Sequence, residues 1–242
     1  MRKLLLLTIL LNATVAFGQD WTLPTEADYP KLEKYGQTVE SFVPKSWKTV
    51  DKATGDLNGD KIPDAVVVIR GSDAKFINKN DGLGVEEFDT NPRILLVLIR
   101  NALVNRYELI EQSNSFIITP DSPTMSEPFL AVKIKNGVLQ LDFEIFYSAG
   151  SWGTSQASYK FKYTDGEFAL IGADKTESAR NTGETETRSY NFLTNRMSIT
   201  TGNFATDTKN KVKWKTYRVG KLKTFRTFAK PFEWEIEPDY FV

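Results

Sequence analysis

A short run of oxygen-bearing side chains at residues 56–64 has the spacing of a calcium site. The run reads Asp-Leu-Asn-Gly-Asp-Lys-Ile-Pro-Asp, and we call it the acidic loop. Calcium is a hard cation that takes about six to eight oxygen ligands, often from a loop that offers one at every second position. The predicted ligands are four side chains and one backbone carbonyl: Asp56, Asn58, Asp60 and Asp64, with the carbonyl of Ile62. The alternative is a solvated acidic turn without a metal.

The acidic loop is not an EF-hand. Counting from Asp56, the position at which an EF-hand has its bidentate Glu is Val67. Val67 lies in a β-branched apolar run that predicts a strand rather than the helix of an EF-hand. We therefore expect a structural ion that fixes the loop and the start of this strand. Extracellular calcium modules work at affinities of roughly 10⁻⁴–10⁻³ M.

The acidic loop and the Ala-Val-Val-Val run at residues 65–68 resemble the calcium loop of FG-GAP and VCBS-type repeats. The usual form of that family is Asp-x-Asn-x-Asp-Gly-x-x-Asp followed by a strand. The resemblance implies a calcium-binding secreted protein. Lys61 stands where the family has Gly, at a position of positive φ that costs a non-glycine residue about 1 kcal/mol. The loop occurs in a single copy, so a multi-bladed propeller is not expected. The arrangement also resembles exported bacterial single-domain proteins without an established activity.

The first 18 residues have the pattern of a signal peptide. Arg2 and Lys3 are followed by an apolar run at residues 4–11 and by Ala16-Phe17-Gly18, a small-x-small cleavage signal. We predict cleavage after Gly18 and export to the periplasm or the exterior. The apolar run is shorter than the about 20 residues of a membrane span, and no later stretch is long enough. We therefore expect no membrane insertion of the mature chain.

Composition excludes several classes of site. The chain has no Cys and no His, which rules out disulfides, the usual zinc sites and a Ser-His-Asp triad. Lys plus Arg and Asp plus Glu each number 31, so the chain lacks the positive excess of nucleic-acid-binding domains. We expect no nucleic-acid partner. An enzyme built from this chain would have to use carboxylates, Lys, Tyr or a bound metal.

The fold predicted for residues 19–242 is a single mainly-β domain. Continuous apolar runs at residues 65–70 and 93–100 predict strands buried on both faces. Alternating segments around Asn136-Gly137, Asp165-Gly166 and Thr194-Asn195 predict hairpins. We predict antiparallel sheets in a sandwich or partial barrel, with short helices near the N-terminus, at residues 32–43. Three further predictions are a long surface loop at 71–92, a strand at 114–119 and a mobile polar stretch at 174–187.

Two further groups of residues suggest ligand chemistry. Trp152 lies in a Gly/Ser-rich loop, where an aromatic ring can stack on a sugar or a peptide. Asp142 and Glu144 share one face of a predicted strand, about 6.6 Å apart, and glycosidases use carboxylate pairs near that separation. Charged residues are also the normal expectation on the solvent face of an antiparallel strand.

Residues 209–230 contain nine Lys and Arg residues and no acidic residue. They could bind an anionic polymer, or Lys211, Lys213 and Lys215 could pair across a sheet with a later alternating set, Glu233, Glu235 and Glu237. The leading function is an exported, non-enzymatic binding or interaction module with an unknown protein or glycan partner. The alternatives are a carboxylate-based glycan hydrolase of the cell envelope and an inhibitor-like partner of another exported protein.

Overall fold

The computed structural model describes residues 21–242, and strands dominate this part of the chain. The strands are β1 Tyr35–Gly36, β2 Trp47–Gly55, β3 Asp64–Gly71, β4 Ile77–Lys79, β5 Glu87–Asp89, β6 Arg93–Asn101, β7 Arg106–Ser113, β8 Phe129–Lys135, β9 Val138–Phe146, β10 Gly153–Thr164, β11 Glu167–Ala179, β12 Glu184–Asn191, β13 Arg196–Asn203, β14 Lys211–Thr216, β15 Glu235–Glu237 and β16 Tyr240–Phe241. Short 3-10 helices occupy Glu26–Asp28, Val39–Phe42 and Ala74–Phe76. The predicted signal peptide lies outside the described residues.

A seven-stranded antiparallel sheet follows the order of the sequence. Its strands run β14-β13-β12-β11-β10-β9-β8, each hydrogen-bonded to its sequence neighbour. Two-residue turns with positive φ join several of them, as at Asn136 (φ 52°) and Gly137 (φ 73°). Such turns match the right-handed twist of the strands that they connect. The three hairpins predicted from the sequence are therefore confirmed.

A five-stranded sheet has the order β1-β7-β6-β3-β2. Its central strands, β3 and β6, are the two apolar runs predicted to be buried on both faces, and this prediction is confirmed. Alternate residues of each strand enter two different apolar clusters, because successive side chains of a strand point to opposite faces. Val66 and Val68 face the seven-stranded sheet, whereas Val67 and Ile69 face the N-terminal segment.

The larger cluster lies between the two sheets and is rich in aromatic rings. Phe116 is fully buried there, and its ring makes edge-on contacts with Phe143, Tyr159, Phe161 and Phe225 at centroid distances of 5.0–6.0 Å. The smaller cluster is closed by the N-terminal segment through Val39 and Phe42. The predicted fold class is thus confirmed as mainly β, with packed antiparallel sheets and no closed barrel.

Four local predictions are wrong or incomplete. Within residues 32–43 only a single 3-10 turn forms, and Tyr35 pairs with Glu108 in a strand instead. The predicted loop at 71–92 contains the β4–β5 hairpin. The stretch 114–119 is not a strand, although Phe116 is central to the core. The stretch 174–187 is largely strand, in β11 and β12. Within residues 21–242 no helix is both long and apolar enough to cross a membrane.

Candidate metal loop and ligand groove

The acidic loop connects β2 to β3 at one end of the five-stranded sheet. Gly55 pairs with Asp64 across its base, so the loop is closed by the β2–β3 ladder. Leu57 is buried in the larger apolar cluster and fixes the loop from below, whereas the side chains of Asn58 and Asp60 are exposed. Asn58 and Asp60 are therefore held at the surface, on a base that the β2–β3 ladder and Leu57 fix.

Side-chain oxygens of the acidic loop accept hydrogen bonds from its own backbone. The Asp56 carboxylate accepts from Gly59 N at 2.7 Å and from Lys61 N at 2.9 Å. Asn58 Oδ1 accepts from Asp60 N at 3.0 Å, and Asp60 Oδ1 accepts from the N–H of Ile62 at 2.8 Å. These bonds turn the backbone around the side chains at alternate positions, which is the arrangement that a hard cation needs.

The backbone at Lys61 has a φ of 68°, in the left-handed region. This is the conformation expected at that position from the resemblance described above. The loop therefore adopts the turn in spite of the Lys side chain, at a cost of about 1–2 kcal/mol. Gly59, with a φ of 86°, supplies the other left-handed residue.

Asp64 differs from the other predicted ligands because it is fully buried. Its carboxylate accepts from Leu57 N at 2.8 Å and from Arg100 N at 2.9 Å, which ties the acidic loop to β6. Burial raises the pKa of Asp64; the two backbone donors oppose this shift, and the charges of Asp60 and Asp56 add to it. A bound cation would relieve this repulsion.

The donor set of the acidic loop fits calcium, since every candidate ligand is an oxygen. Within residues 21–242, no group of three or more His, Cys, Asp and Glu side chains is already gathered for a metal. Two of the predicted ligands, Asn58 and the Ile62 carbonyl, are not among those residue types. The loop thus has the backbone turn and the chemistry for calcium, without a preformed cage of carboxylates.

Asp142 and Glu144 lie on the outer face of β9 and are engaged in hydrogen bonds. Asp142 is 8% exposed and accepts from Lys133 and Ser158 at 2.6 Å and from Gln140 at 2.7 Å. Burial raises the pKa of Asp142, but these three donors outweigh it and hold the pKa below its ordinary value. A glycosidase requires one carboxyl group with a raised pKa as its general acid. Asp142 does not have that property.

Trp152 is 67% exposed in the turn before β10. The guanidinium of Arg180 lies 5.9 Å from its ring centroid and 4.5 Å from that of Phe146. Its exposure leaves the stacking role of Trp152 a prediction. Trp152 does not line the groove described next, although its neighbours Ser151 and Gly153 do.

An open groove of about 660 Å³ lies on the face of the seven-stranded sheet that also carries the core. We call it the inner groove. Four neighbouring strands, β9 to β12, each contribute one residue to a row across the groove. In this row Ser155 pairs with Ile145 on one side and with Glu177 on the other, and Glu177 pairs in turn with Glu186. Further lining residues include Tyr147, Ala179, Glu184 and Thr201. The same strands bury Phe143, Ala157 and Ala173 further along this face, so the groove is a continuation of the core surface that other elements leave open.

The boundary between the core and the inner groove is a row of paired charges. Lys175 Nζ lies 2.9 Å from Glu177, and Arg188 Nε lies 2.7 Å from Glu186. Arg188 also reaches Glu237 at 3.2 Å, which brings the C-terminal segment onto the sheet. The prediction of a mobile stretch missed these residues, although charged and small polar residues alternate at 175–178 (Lys-Thr-Glu-Ser), which was a short strand signal.

The predicted cross-strand pairing between the basic tail and the late Glu residues is wrong. β14 pairs with β13, whereas β15 pairs with β16. Glu233 instead contacts Lys230, and Glu237 contacts Arg188. All six residues of β14 are exposed at the edge of the sheet, including Trp214 at 63%. Exposed lysines on an edge strand also hinder edge-to-edge aggregation.

Comparison of the chain with protein-family models, with curated proteins and with solved structures gives no match.

Proposed function

We propose that this chain is an exported, non-enzymatic binding module, with a structural calcium ion in the acidic loop and a ligand site in the inner groove. The inner groove is the observation on which this proposal depends. Its volume of about 660 Å³ lies within the range of roughly 300–1,000 Å³ that is common for small-molecule sites. It combines an apolar side at Ile145 with several polar groups that converge from neighbouring strands.

The arrangement of carboxylates supports binding better than the alternative of a glycan hydrolase. Glu177 and Glu186, which face each other across β11 and β12, are each in an ion pair with a cation. Asp142, the other candidate acid, is held by three donors on the opposite face of the sheet. A glycosidase keeps one of its two carboxyl groups protonated as the acid. The partner of a binding module would be a glycan or a protein of the cell envelope.

Calcium in the acidic loop would be held by Asp56, Asn58, Asp60 and Asp64 with the carbonyl of Ile62. The ion would supply positive charge between carboxylates that otherwise repel one another. Because Asp64 also bonds to the backbone of Leu57 and Arg100, the ligands would be anchored to β3 and β6. A structural role is the expected one, since the β2–β3 ladder closes the loop and Asp64 ties it to β6. Export follows from the signal-peptide pattern, and kinship with FG-GAP and VCBS-type proteins from the loop.

The calcium part of the proposal is tested by thermal unfolding with and without millimolar calcium. The variant Asp60→Ala removes one exposed ligand, and Asp207→Ala is the matched control in an exposed position outside the loop. We expect calcium to raise the Tm of the wild type and of Asp207→Ala, with a much smaller rise for Asp60→Ala. Equal shifts in all three proteins, or none, would contradict a site in the loop.

The binding part is tested by immobilising the protein and passing a native envelope extract over it. Ser155→Trp fills the inner groove, whereas Gln156→Trp places the same side chain on the opposite face of β10. We expect at least one envelope component to be retained by the wild type and by Gln156→Trp but not by Ser155→Trp. If no component distinguishes the two variants, the groove is not the binding site.

A further inference from the structure

The outermost strand of the seven-stranded sheet, β14, has an open edge. β14 pairs with β13 on one side and is the last strand in the order of the sheet, and all six of its residues are exposed. Within residues 21–242, the main-chain N–H and C=O groups of β14 that point away from β13 meet no further strand. An exposed edge of this kind is a template for pairing with another chain.

The side chains of β14 alternate between cations on one face of the sheet and apolar groups on the other. Ile199, the cross-strand partner of Lys213, packs against the larger apolar cluster. Because successive side chains of a strand point to opposite faces, Lys213 and the lysines two positions before and after it lie on the face that carries the core. Val212 and Trp214 lie on the other face, where they are 52% and 63% exposed. We call the cations of the core face the β14 lysines: Lys211, Lys213 and Lys215.

None of the β14 lysines is in an ion pair within the part of the chain that the structure describes. The alternating acidic segment at residues 233–237 is occupied elsewhere, because Glu233 contacts Lys230 and Glu237 contacts Arg188. In addition, β15 pairs with β16, and Ile236 is buried in the larger apolar cluster. The chain's own acidic strand is therefore not the occupant of the open edge.

Protection against aggregation accounts for the β14 lysines but not for the apolar residues between them. A strand that only blocks pairing needs polar side chains, whereas β14 also exposes Val212 and the large ring of Trp214. The guanidinium of Arg196, on β13, lies 4.8 Å from the ring centroid of Trp214 and orients the ring. The edge therefore combines positive charge, which repels most strands, with apolar surface that a suitable strand can cover.

The placement of the two groups determines which kind of anionic partner fits. A polysaccharide or a lipid surface would lie on one face of the sheet, where it would meet either the β14 lysines or Trp214. An added strand continues the sheet, so its side chains alternate with the same period of two and reach both faces. Acidic residues would then oppose the β14 lysines, which are about 6.6 Å apart along the strand, and apolar residues would oppose Val212 and Trp214.

We infer that the open edge of β14 binds an extended segment of another protein, in which acidic and apolar residues alternate. The segment adds a further strand to the seven-stranded sheet, with main-chain hydrogen bonds along the edge and opposite charges across it. No residue of β14 lines the inner groove, so this surface is separate from the ligand site proposed above and goes beyond it.

The test uses short synthetic peptides and an acidic polysaccharide as probes. One peptide alternates Glu and Val, a second has the same composition with its Glu residues in one block, and a third alternates Lys and Val. Polygalacturonate is the polysaccharide. Amide NMR titration of the protein detects weak complexes up to millimolar peptide. We expect the alternating acidic peptide to bind most tightly and to slow hydrogen exchange of β14 amides, because strand addition gives them acceptors.

Three variants test whether the contact is made at the edge. Lys213→Glu reverses a charge on the core face, and Trp214→Thr removes the ring from the other face but keeps a β-branched side chain. Lys45→Glu is the matched control, with the same change of charge at an exposed lysine outside β14. We expect each of the first two to weaken binding of the alternating acidic peptide about five-fold and Lys45→Glu to leave it unchanged. The Tm of each variant checks that the fold is retained.

Four results would overturn the inference. The first is no binding of the alternating acidic peptide at millimolar concentration, and the second is equal binding of the peptide with its Glu residues in one block. A loss of affinity in only one of Lys213→Glu and Trp214→Thr would place the ligand on one face rather than at the edge. Tighter binding of polygalacturonate than of any peptide would assign the β14 lysines to an anionic polymer. None of these results bears on the inner groove, which Ser155→Trp tests separately.

Discussion

Replacement of Lys61 by Gly should stabilise the protein, although it removes a side chain. Lys61 has a φ of 68°, where the Cβ of an L-residue approaches the following carbonyl oxygen at a cost of about 1–2 kcal/mol. Glycine avoids this cost but loses about 0.5–1 kcal/mol through the greater freedom of the unfolded chain. The net expectation is a gain of roughly 0.5–1 kcal/mol in the free energy of unfolding.

The charge of Lys61 must be separated from its backbone conformation, because Asp56, Asp60 and Asp64 carry negative charge in the same loop. Lys61→Gln removes the charge and keeps the Cβ, so the difference between Lys61→Gly and Lys61→Gln reports the backbone term. For a chain of this size a change of 1 kcal/mol shifts the Tm by about 2–4 °C. We therefore expect Lys61→Gly to melt about 1–4 °C above Lys61→Gln without calcium.

Thermal and urea unfolding of the three proteins in physiological salt provide the measurement. Because the turn is then less strained, calcium should also bind Lys61→Gly more tightly than Lys61→Gln. The reasoning would be refuted if Lys61→Gly were no more stable than Lys61→Gln, since the left-handed conformation would then cost nothing at this position.

Three other predictions concern the acidic loop and the core. Asp64→Asn should destabilise the protein by about 2–4 kcal/mol in urea unfolding. The two carboxylate oxygens accept from Leu57 N and Arg100 N, and an amide has only one acceptor oxygen for these two donors. A loss below about 0.5 kcal/mol would contradict this account. Folding raises the pKa of Asp64, so the folded state favours its protonated carboxyl group. The stability that this group contributes is fully present below the unfolded pKa and is lost as pH rises through the folded pKa. Calcium requires the ionised form, so the calcium-dependent rise in Tm should be larger at pH 7 than at pH 4; equal rises would exclude carboxylate ligands. Phe116→Ala should cost about 3–5 kcal/mol because it removes a ring buried among other rings, and near-wild-type urea unfolding would show that the core there can collapse.

Local sequence patterns predicted the elements whose structure depends on neighbours along the chain. Asn136-Gly137 specifies a tight turn because both residues tolerate positive φ, and both have it. The run at residues 65–70 predicted a strand buried on both faces because it has no polar side to expose. The positive φ at Lys61 was likewise expected, from the resemblance of the acidic loop to FG-GAP and VCBS-type loops, which have Gly at that position.

Other features depend on residues that are distant in sequence. Phe116 is buried by rings from other parts of the chain, and its own segment makes no strand, so the pattern at 114–119 was misleading. Residues 174–187 contain many polar side chains because they line the inner groove and form ion pairs, Lys175 with Glu177 within β11 and Asp174 with Lys160 of β10. Polarity was therefore mistaken for mobility.

The sequence by itself determined the fold class, the hairpins and the composition and spacing of the acidic loop, because periodicity, turn chemistry and ligand spacing are local properties. Tertiary structure alone decided which strands outside these hairpins are neighbours and where the C-terminal segment packs. That choice placed Glu237 on Arg188 rather than on the lysines of β14 and opened the inner groove. These contacts join residues brought together only by sheet register and by the packing of the C-terminal segment, which no local pattern specifies.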